Sequence, residues 1–282
     1  LAAALVWLWV SPAAAQDLDR DGLDDTFEQA LLERFLPTFF VSAGECDSLP
    51  AAFAPGTRHP EVLARDGTIH GRVFPASDGT IEVQYFHLWA RDCGRGGHAL
   101  DAEHVSALLE PRGQDWAARL WYAAAHENTL CDQSSGAHAS ALGAASAGPR
   151  VYISRGKHAS YLNPGQCKWG CGGDACPRGQ PLRVAAVVNI GEPGAPLNGA
   201  TWVGSRRWPL GATLTSDFYP ATKARPDRSE AARIISLMLH RRAPQAPVLA
   251  GDTAVDGLVH AGSTSVAALA TSGRSAGSAL KK

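Results

Sequence analysis

The chain has 282 residues, of which 45% are apolar, so it is long enough to build one large folded domain or two small ones. Its 26 basic and 27 acidic residues leave a net charge of −1, and the basic residues are scattered. A nucleic-acid-binding protein usually carries a basic surplus, so this composition argues against a nucleic-acid partner.

The first 15 residues carry no charge, and the apolar run at 5–10 is followed by the small residues Ala13, Ala14 and Ala15. This pattern is typical of a secretory signal peptide. The run is shorter than the ~20 residues that cross a bilayer, and no later stretch meets that length, so we predict no transmembrane segment. We therefore expect a signal peptide at 1–15 and a secreted or periplasmic mature protein that begins near Gln16.

Residues 17–28 match the pattern D-x-D-x-D-G-x5-E at every defined position. In such a loop, oxygens surround one cation, and the glycine permits a sharp turn. Without a cation the same carboxylates would repel, and the alternative is a solvated acidic linker. The pattern predicts a Ca²⁺ site whose ligands are Asp17, Asp19, Asp21, the Leu23 carbonyl, Asp25 and Glu28.

A helix is predicted after this loop, because five apolar residues recur at helical spacing before Pro37: Phe27, Leu31, Leu32, Phe35 and Leu36. The loop and helix together, residues 16–37, resemble the single loop-plus-helix calcium units of thrombospondin type 3 and dockerin proteins. The resemblance implies that the ion is a structural staple rather than a sensor.

From about residue 38, short apolar runs alternate with turn-forming residues. Alternation and turn spacing predict strands at 81–89, 101–110, 117–125, 151–154 and 182–190. This pattern favours a mainly β fold, an antiparallel β-sandwich over residues 38–226. A helix is predicted at 227–241, within a C-terminal segment 227–244, and residues 245–282 are predicted to be a flexible tail.

The segment 101–109 has two interpretations. Its Ala, Glu and Leu residues favour a helix, whereas the turn signal at 111–114 favours one strand of a hairpin, which we prefer. In a strand, Asp101, Glu103 and Val105 share one face and His104 faces the other way. In a helix, Asp101 would lie beside His104 and Val105.

Six cysteines accompany the predicted export and favour disulfide bonds: Cys46, Cys93, Cys131, Cys167, Cys171 and Cys176. The alternative is a zinc site formed by the last three, but their spacing lacks the paired Cys-x2-Cys motif of most structural zinc sites. We expect one bridge between Cys93 and Cys131 and one inside the loop 167–176.

Residues 97–105 gather two carboxylates and two imidazoles, from Asp101, Glu103, His98 and His104. Two carboxylates about 4 Å apart repel by roughly 4 kcal/mol at an effective dielectric near 20. A bound cation turns that repulsion into attraction, so this stretch is the strongest candidate for a second cation site.

The run Asp101-Ala102-Glu103-His104-Val105, followed by the segment 149–161 (Pro-Arg-Val-Tyr-Ile-Ser-Arg-Gly-Lys-His-Ala-Ser-Tyr), resembles the vacuolar protein sorting-associated protein 62 family. The resemblance covers roughly residues 35–225.

More distantly, residues 97–103 resemble the heptapeptide G-H-R-H-D-W-E of the necrosis-inducing, NLP-type toxins. That family holds a divalent cation in a surface cleft of a β-sandwich. The matching ligands here are His98, Asp101 and Glu103, with Asp92 as the upstream carboxylate. Leu100 and Ala102 replace the family's second His and its Trp, so the resemblance extends to the ligands and not to toxin activity.

These features predict an exported protein that binds a polar ligand, a sugar or a lipid headgroup, at a divalent cation (Mg²⁺, Mn²⁺ or Ca²⁺) in the cleft. The alternative is a metal-dependent hydrolase, with His158 or His126 as the acid/base partner of a metal-bound water. In a third interpretation the cations are purely structural. The carboxylates of Asp101 and Glu103 would need no cation at all if they paired with Arg91 or Arg95.

Overall fold

The computed structural model describes residues 16–53, 61–75, 79–127, 133–168 and 173–191. These ranges contain two helices and twelve strands. Their bounds are α1 Asp25–Arg34, β1 Thr38–Ser42, β2 Ala52–Phe53, β3 Val62–Ala64, β4 Ile69–Pro75, β5 Ile81–Arg91, β6 Ala99–Arg112, β7 Asp115–Ala123, β8 Ser135–His138, β9 Arg150–Ile153, β10 Ser160–Tyr161, α2 Pro164–Cys167, β11 Gly179–Pro181 and β12 Val187–Asn189. Within these ranges, neither helix is long and apolar enough to cross a membrane.

The larger sheet has six strands in the order β12-β4-β5-β6-β7-β8. Strands β4 to β8 form an antiparallel meander, and β12 joins β4 in parallel. The long strands β5 and β6 lie at its centre, where Trp89 pairs with Asp101 and His87 pairs with Glu103. This register brings the acidic stretch of the sequence against two ring side chains of the neighbouring strand.

The smaller sheet has four strands in the order β10-β9-β1-β11. Strand β1 pairs in parallel with β9 and antiparallel with β11. The apolar side chains of this sheet, among them Phe39, Val151 and Ile153, share one buried cluster with Val83 and Tyr85 of the larger sheet. Because the two sheets bury their apolar faces against each other, the predicted β-sandwich is confirmed.

Helix α1 closes one side of this core. Asp24 caps its N-terminus by accepting hydrogen bonds from the backbone N–H groups of Thr26 and Phe27. Leu32, on the buried face of the helix, is fully buried, and its carbonyl accepts a hydrogen bond of 3.0 Å from the Tyr85 hydroxyl. The predicted helix after the acidic loop is therefore confirmed.

The segment 101–109 is a strand, so the helical alternative is wrong. The turn signal correctly predicted a hairpin. The turn is shorter than the predicted 111–114, since Arg112 still pairs with Asp115 across it. The predicted strands at 81–89, 117–125 and 151–154 are also confirmed, with ends that shift slightly.

The predicted strand at 182–190 is wrong for most of its length. Strand β11 ends at Pro181 in the smaller sheet, and only Val187–Asn189 is a strand, in the larger sheet. Residues 182–186 cross from one sheet to the other: the Leu182 N–H still donates to the Phe39 carbonyl at 2.7 Å, whereas the Ala186 carbonyl already accepts from Ile69 at 2.9 Å. Apolar residues at this crossing pack against the core, which gave the segment its strand-like pattern.

Within the described ranges, two disulfides join Cys46 to Cys93 and Cys167 to Cys176. The bridge inside the loop 167–176 is confirmed. The expected pairing of Cys93 with Cys131 is wrong, because β1 and β5 end on the same side of the sandwich and bring Cys46 to Cys93. The predicted signal peptide, Cys131 and Cys171, the end of the predicted sandwich and everything predicted at 227–282 lie outside the described residues.

Gly148 precedes β9 and packs against the segment that joins α1 to β1. A Cβ atom added there would stand 2.1 Å from the Leu36 carbonyl oxygen and 2.7 Å from that of Phe35. Both neighbours are backbone atoms, so the clash would be relieved only by moving the chain itself.

We expect Gly148→Ala to lower the free energy of unfolding by about 1–3 kcal/mol or more, the usual cost of overpacking a core. Urea unfolding followed by circular dichroism measures the change. Gly44→Ala is the matched control, because its Cβ would meet its nearest atoms at 3.9 Å, an ordinary contact. Equal effects of the two substitutions would contradict this account of Gly148.

Candidate functional site

The predicted calcium loop turns sharply between residues 17 and 23. Gly22 has a φ of 97°, which glycine adopts without strain. The Asp17 carboxylate accepts hydrogen bonds from the backbone N–H groups of Arg20 at 2.7 Å and Gly22 at 3.1 Å. Asp21 accepts from the Leu23 N–H at 2.8 Å. These bonds fold the loop back on itself.

The folded loop gathers all five predicted carboxylates. Two sets have ligand atoms within 4.8 Å of one another, and Asp19 belongs to both: Asp17, Asp19 and Asp25 form the first, and Asp19, Asp21 and Glu28 form the second. Burial, together with the nearby charges of Asp21 and Asp17, raises the pKa of Asp19 to about 6. The Leu23 side chain packs against the core, and the role of its carbonyl as a ligand stays a prediction.

The second candidate site centres on Asp101 and Glu103 of β6. Both are buried, and their alternation along the strand places both on the face that packs toward the smaller sheet, with Val105. His104 faces the opposite way and lies 3.0 Å from the Glu127 carboxylate, as the strand interpretation predicted. Within the described part of the chain, neither Asp101 nor Glu103 pairs with Arg91 or Arg95.

His158 contacts this site directly. Its Nδ1 lies 2.9 Å from the Asp101 carboxylate, and its ring stacks on Trp89 at 4.0 Å with an interplanar angle of 6°. An ionised carboxylate only accepts, so the His158 Nδ1 carries a proton and donates it to Asp101. Nε2 is buried without a hydrogen bond and lies 3.7 Å from Glu45.

Glu103 has the most unfavourable electrostatic position among the carboxylates of this site. Burial raises its pKa well above the usual value, and Asp101, Glu127, Asp174 and Asp92 raise it further by repulsion. Among the described residues, no hydrogen-bond donor or cation pairs with its side chain. A cation placed here would remove both penalties.

Asp92 and His98 lie together at the rim. The His98 Nε2 is 3.6 Å from the Asp92 carboxylate, which also accepts a hydrogen bond of 3.0 Å from Lys157. The other ring nitrogen of His98 faces the Leu100 carbonyl at 2.8 Å. The four predicted cleft residues do not form one compact ligand set in the described structure, so their joint coordination of a cation stays a prediction.

His126 belongs to a separate network around Asp174. The Asp174 carboxylate lies 2.6 Å from the His126 Nε2 and accepts hydrogen bonds from the hydroxyls of Ser154 and Tyr161 at 2.6 and 2.5 Å. Burial alone would raise the pKa of Asp174, but these three partners outweigh it and lower the pKa. Since its Nε2 is engaged by Asp174, His126 is placed to support the Cys167–Cys176 loop.

His87 and Ser160 lie 2.7 Å apart but do not form a nucleophile and its base. The Trp89 indole N–H, which can only donate, points at the His87 Nδ1 at 2.8 Å, so the neutral ring carries its proton on Nε2. That nitrogen donates to Ser160 and cannot accept its proton. Burial, and then the charges of His158 and His104, lower the pKa of His87 well below its usual value, so the ring stays neutral.

Three site carboxylates were missed from the sequence: Glu45, Glu127 and Asp174. The Glu45 carboxylate accepts a hydrogen bond of 2.8 Å from the Gly156 N–H. The disulfide of its neighbour Cys46 places Glu45 beside His158. Asp174 is placed by the Cys167–Cys176 bridge. The only signal in the sequence for Glu45 and Asp174 was a nearby cysteine, and that signal locates a residue only when the cysteine pairing is known.

Solved structures that resemble this chain are NLP-type proteins at low identity. A mutant of NLPPya is 20% identical, with 59% of this chain and 73% of that chain covered and a TM-score of 0.36. NLPPya in complex with glucosamine is 20% identical, with 64% and 79% covered and a TM-score of 0.34. A structure described as a toxin fold for microbial attack and plant defense is 16% identical, with 59% and 74% covered and a TM-score of 0.35.

No protein-family model and no curated protein matches the chain. The resemblance to the vacuolar protein sorting-associated protein 62 family therefore stays a prediction. Scores and identities this low assign no chemistry, so the function has to be argued from the residues of the site.

We expect Asp174→Asn to lower the free energy of unfolding at pH 7 by about 2–4 kcal/mol, because the amide turns an NH₂ group toward donors. The lowered pKa means that this contribution is complete above the usual value of 3.8 and is lost as the pH falls through the folded-state value. The difference between wild type and variant should therefore narrow below about pH 4.

Chemical unfolding at pH 7, 5 and 3.5 measures this difference. Asp66→Asn is the control, because Asp66 is exposed and its described hydrogen bonds both come from the neighbouring Thr68, at 3.0 Å from the backbone N–H and 2.8 Å from the hydroxyl. A penalty at Asp174 that did not change with pH would show that packing, not charge, makes the carboxylate important.

Proposed function

We propose that this protein is exported and binds a polar ligand, a sugar or a lipid headgroup, through a divalent cation held at Asp101 and Glu103. The observation that carries the proposal is Glu103, a buried carboxylate with no cationic partner among the described residues and four carboxylates near it. Such a group is costly to bury unless a cation compensates it. Its strand neighbour Asp101 supplies a second oxygen donor on the same face.

Asp92 and His98 are the other two proposed ligands, and their contact at the rim places them side by side. Three carboxylates and one imidazole suit Mg²⁺, Mn²⁺ or Ca²⁺ better than a soft metal. A cation with mainly oxygen ligands keeps room for hydroxyl or phosphate oxygens of a ligand, which is the chemistry shared by sugars and lipid headgroups. The two described disulfides fit the oxidising compartment of an exported protein.

A second candidate function is metal-dependent hydrolysis. It is favoured by His158, whose Nε2 is buried without a hydrogen-bond partner among the described residues and whose Nδ1 is oriented by Asp101. This is the arrangement expected of a general base for a metal-bound water. His126 is a weaker candidate for the role, since Asp174 engages its Nε2.

The cation is tested with Mn²⁺ and electron paramagnetic resonance on the full chain. We expect Glu103→Gln to lose one equivalent of bound Mn²⁺, or to bind it at least ten times more weakly, about 1.4 kcal/mol. Glu110→Gln, a carboxylate lost from the far end of the same strand, should bind like wild type. Unchanged Mn²⁺ binding by Glu103→Gln would refute the cation site.

Ligand binding is then measured with glucosamine by calorimetry, and with vesicles that contain a glycosylated lipid by sedimentation, each with Mn²⁺ and with chelator. We expect binding only with Mn²⁺ and a loss in Glu103→Gln. Binding that persists in chelator would contradict the role of the cation. If nitrophenyl esters are hydrolysed by wild type and not by His158→Gln, the hydrolase replaces the binding module.

A further inference from the structure

The N-terminal loop carries a second, independent sign of a bound ion besides its sequence motif. Asp19, at the centre of both carboxylate sets, is only 5% exposed, and both of its carboxylate oxygens are buried without a hydrogen-bond partner. The N–H groups of Leu18, Arg20 and Leu23 donate to Asp25, Asp17 and Asp21 instead. An isolated buried carboxylate is among the most costly groups to remove from water.

We infer that Asp17, Asp19, Asp21, Asp25 and Glu28 hold a Ca²⁺ ion that is separate from the cleft. The donors are all carboxylate oxygens, which favours a hard cation, and the five side chains form two close sets that share Asp19, enough donors for the high coordination number that Ca²⁺ prefers over Mg²⁺. The Leu23 carbonyl is the sixth ligand that the motif predicts.

Glu28 connects this site to the sandwich. It is fully buried, and its Oε2 accepts a hydrogen bond of 2.8 Å from the side-chain amide of Asn189, on the edge strand β12. The next residue of the helix, Gln29, donates to the Val187 carbonyl of the same strand at 3.0 Å. A single carboxylate therefore belongs both to the ion site and to the junction of α1 with β12.

A Ca²⁺ ion in this loop would also stabilise the protein beyond the loop. An ion that binds Glu28 fixes the carboxylate to which Asn189 donates, and so stabilises the contact of α1 with β12. Strand β12 needs this support because only three of its residues pair with β4. Calcium then acts as a structural staple between two distant segments, since Glu28 and Asn189 are 161 positions apart in the sequence.

The test uses the full chain, freed of metal with chelator and then titrated with Ca²⁺ or Mg²⁺ in a calorimeter. At a free Ca²⁺ concentration about 100 times the Kd, the folding equilibrium constant should rise about 100-fold, or ~2.7 kcal/mol, and the Tm should rise with it. Mg²⁺ at the same concentration should give a much smaller shift.

Asp19→Asn should fold with a metal-free Tm at or above that of wild type, because it removes an uncompensated buried charge, and it should lose the Ca²⁺ response. Asp21→Asn serves as the second variant if Asp19→Asn does not fold. Glu33→Gln, which removes an exposed charge from the same helix, should keep the full response. No binding of Ca²⁺ by wild type, or full binding by the folded Asp19→Asn protein, would overturn the inference.

Hydrogen exchange separates the staple from a merely local ion. Ca²⁺ should slow amide exchange in peptides that cover 25–35 and also in those that cover 187–191. Protection of the loop alone would overturn the coupling to β12. Because Glu103→Gln leaves the loop intact and Asp19→Asn leaves the cleft intact, this site and the cleft succeed or fail independently.

Discussion

The register between β5 and β6 is the constraint on which the rest of the molecule depends. It pairs Asp101 with Trp89 and Glu103 with His87, and two positions further along it places Val105 beside Tyr85 in the core. A slip of one residue would turn the acidic pair outward and take the apolar partners out of the core at the same time. The packing energy of the sandwich core therefore also fixes the position of the candidate site.

Among the described residues, the buried carboxylates Asp101, Asp92 and Asp174 each have a hydrogen-bond donor, whereas Glu103 has none. Asp101 has His158, Asp92 has Lys157, and Asp174 has three donors. The β5–β6 pairing keeps Asp101 and Glu103 on one face of the strand, so the fold retains at least this part of the repulsion on Glu103. Under the proposed function, a bound cation would compensate this repulsion.

The sequence predicted well whatever depends on residues that are close along the chain. The motif at 17–28 has all its donors within one loop, so spacing alone placed Asp19 among the others, as the structure shows. The strands around the 111–114 turn followed from alternation, and with them the shared face of Asp101 and Glu103. By contrast, the segment 182–190 was misjudged because apolar residues pack against the core equally well in a strand and in a crossing between sheets.

Contacts between distant segments could not be predicted in the same way. The sequence alone does not determine how the cysteines pair. The Cys46–Cys93 bridge brings Glu45 to the loop that follows β9, where its carboxylate accepts a hydrogen bond from the Gly156 N–H. The Gly156 carbonyl in turn accepts a hydrogen bond of 2.8 Å from the Cys93 N–H. Three loops are thereby joined at the rim by one covalent bond and a few backbone hydrogen bonds. The motif residues of β6 were identified from the sequence because they lie on one strand with a local pattern. The carboxylates around them were not, because cross-links between distant segments position them, and these are visible only in the folded chain.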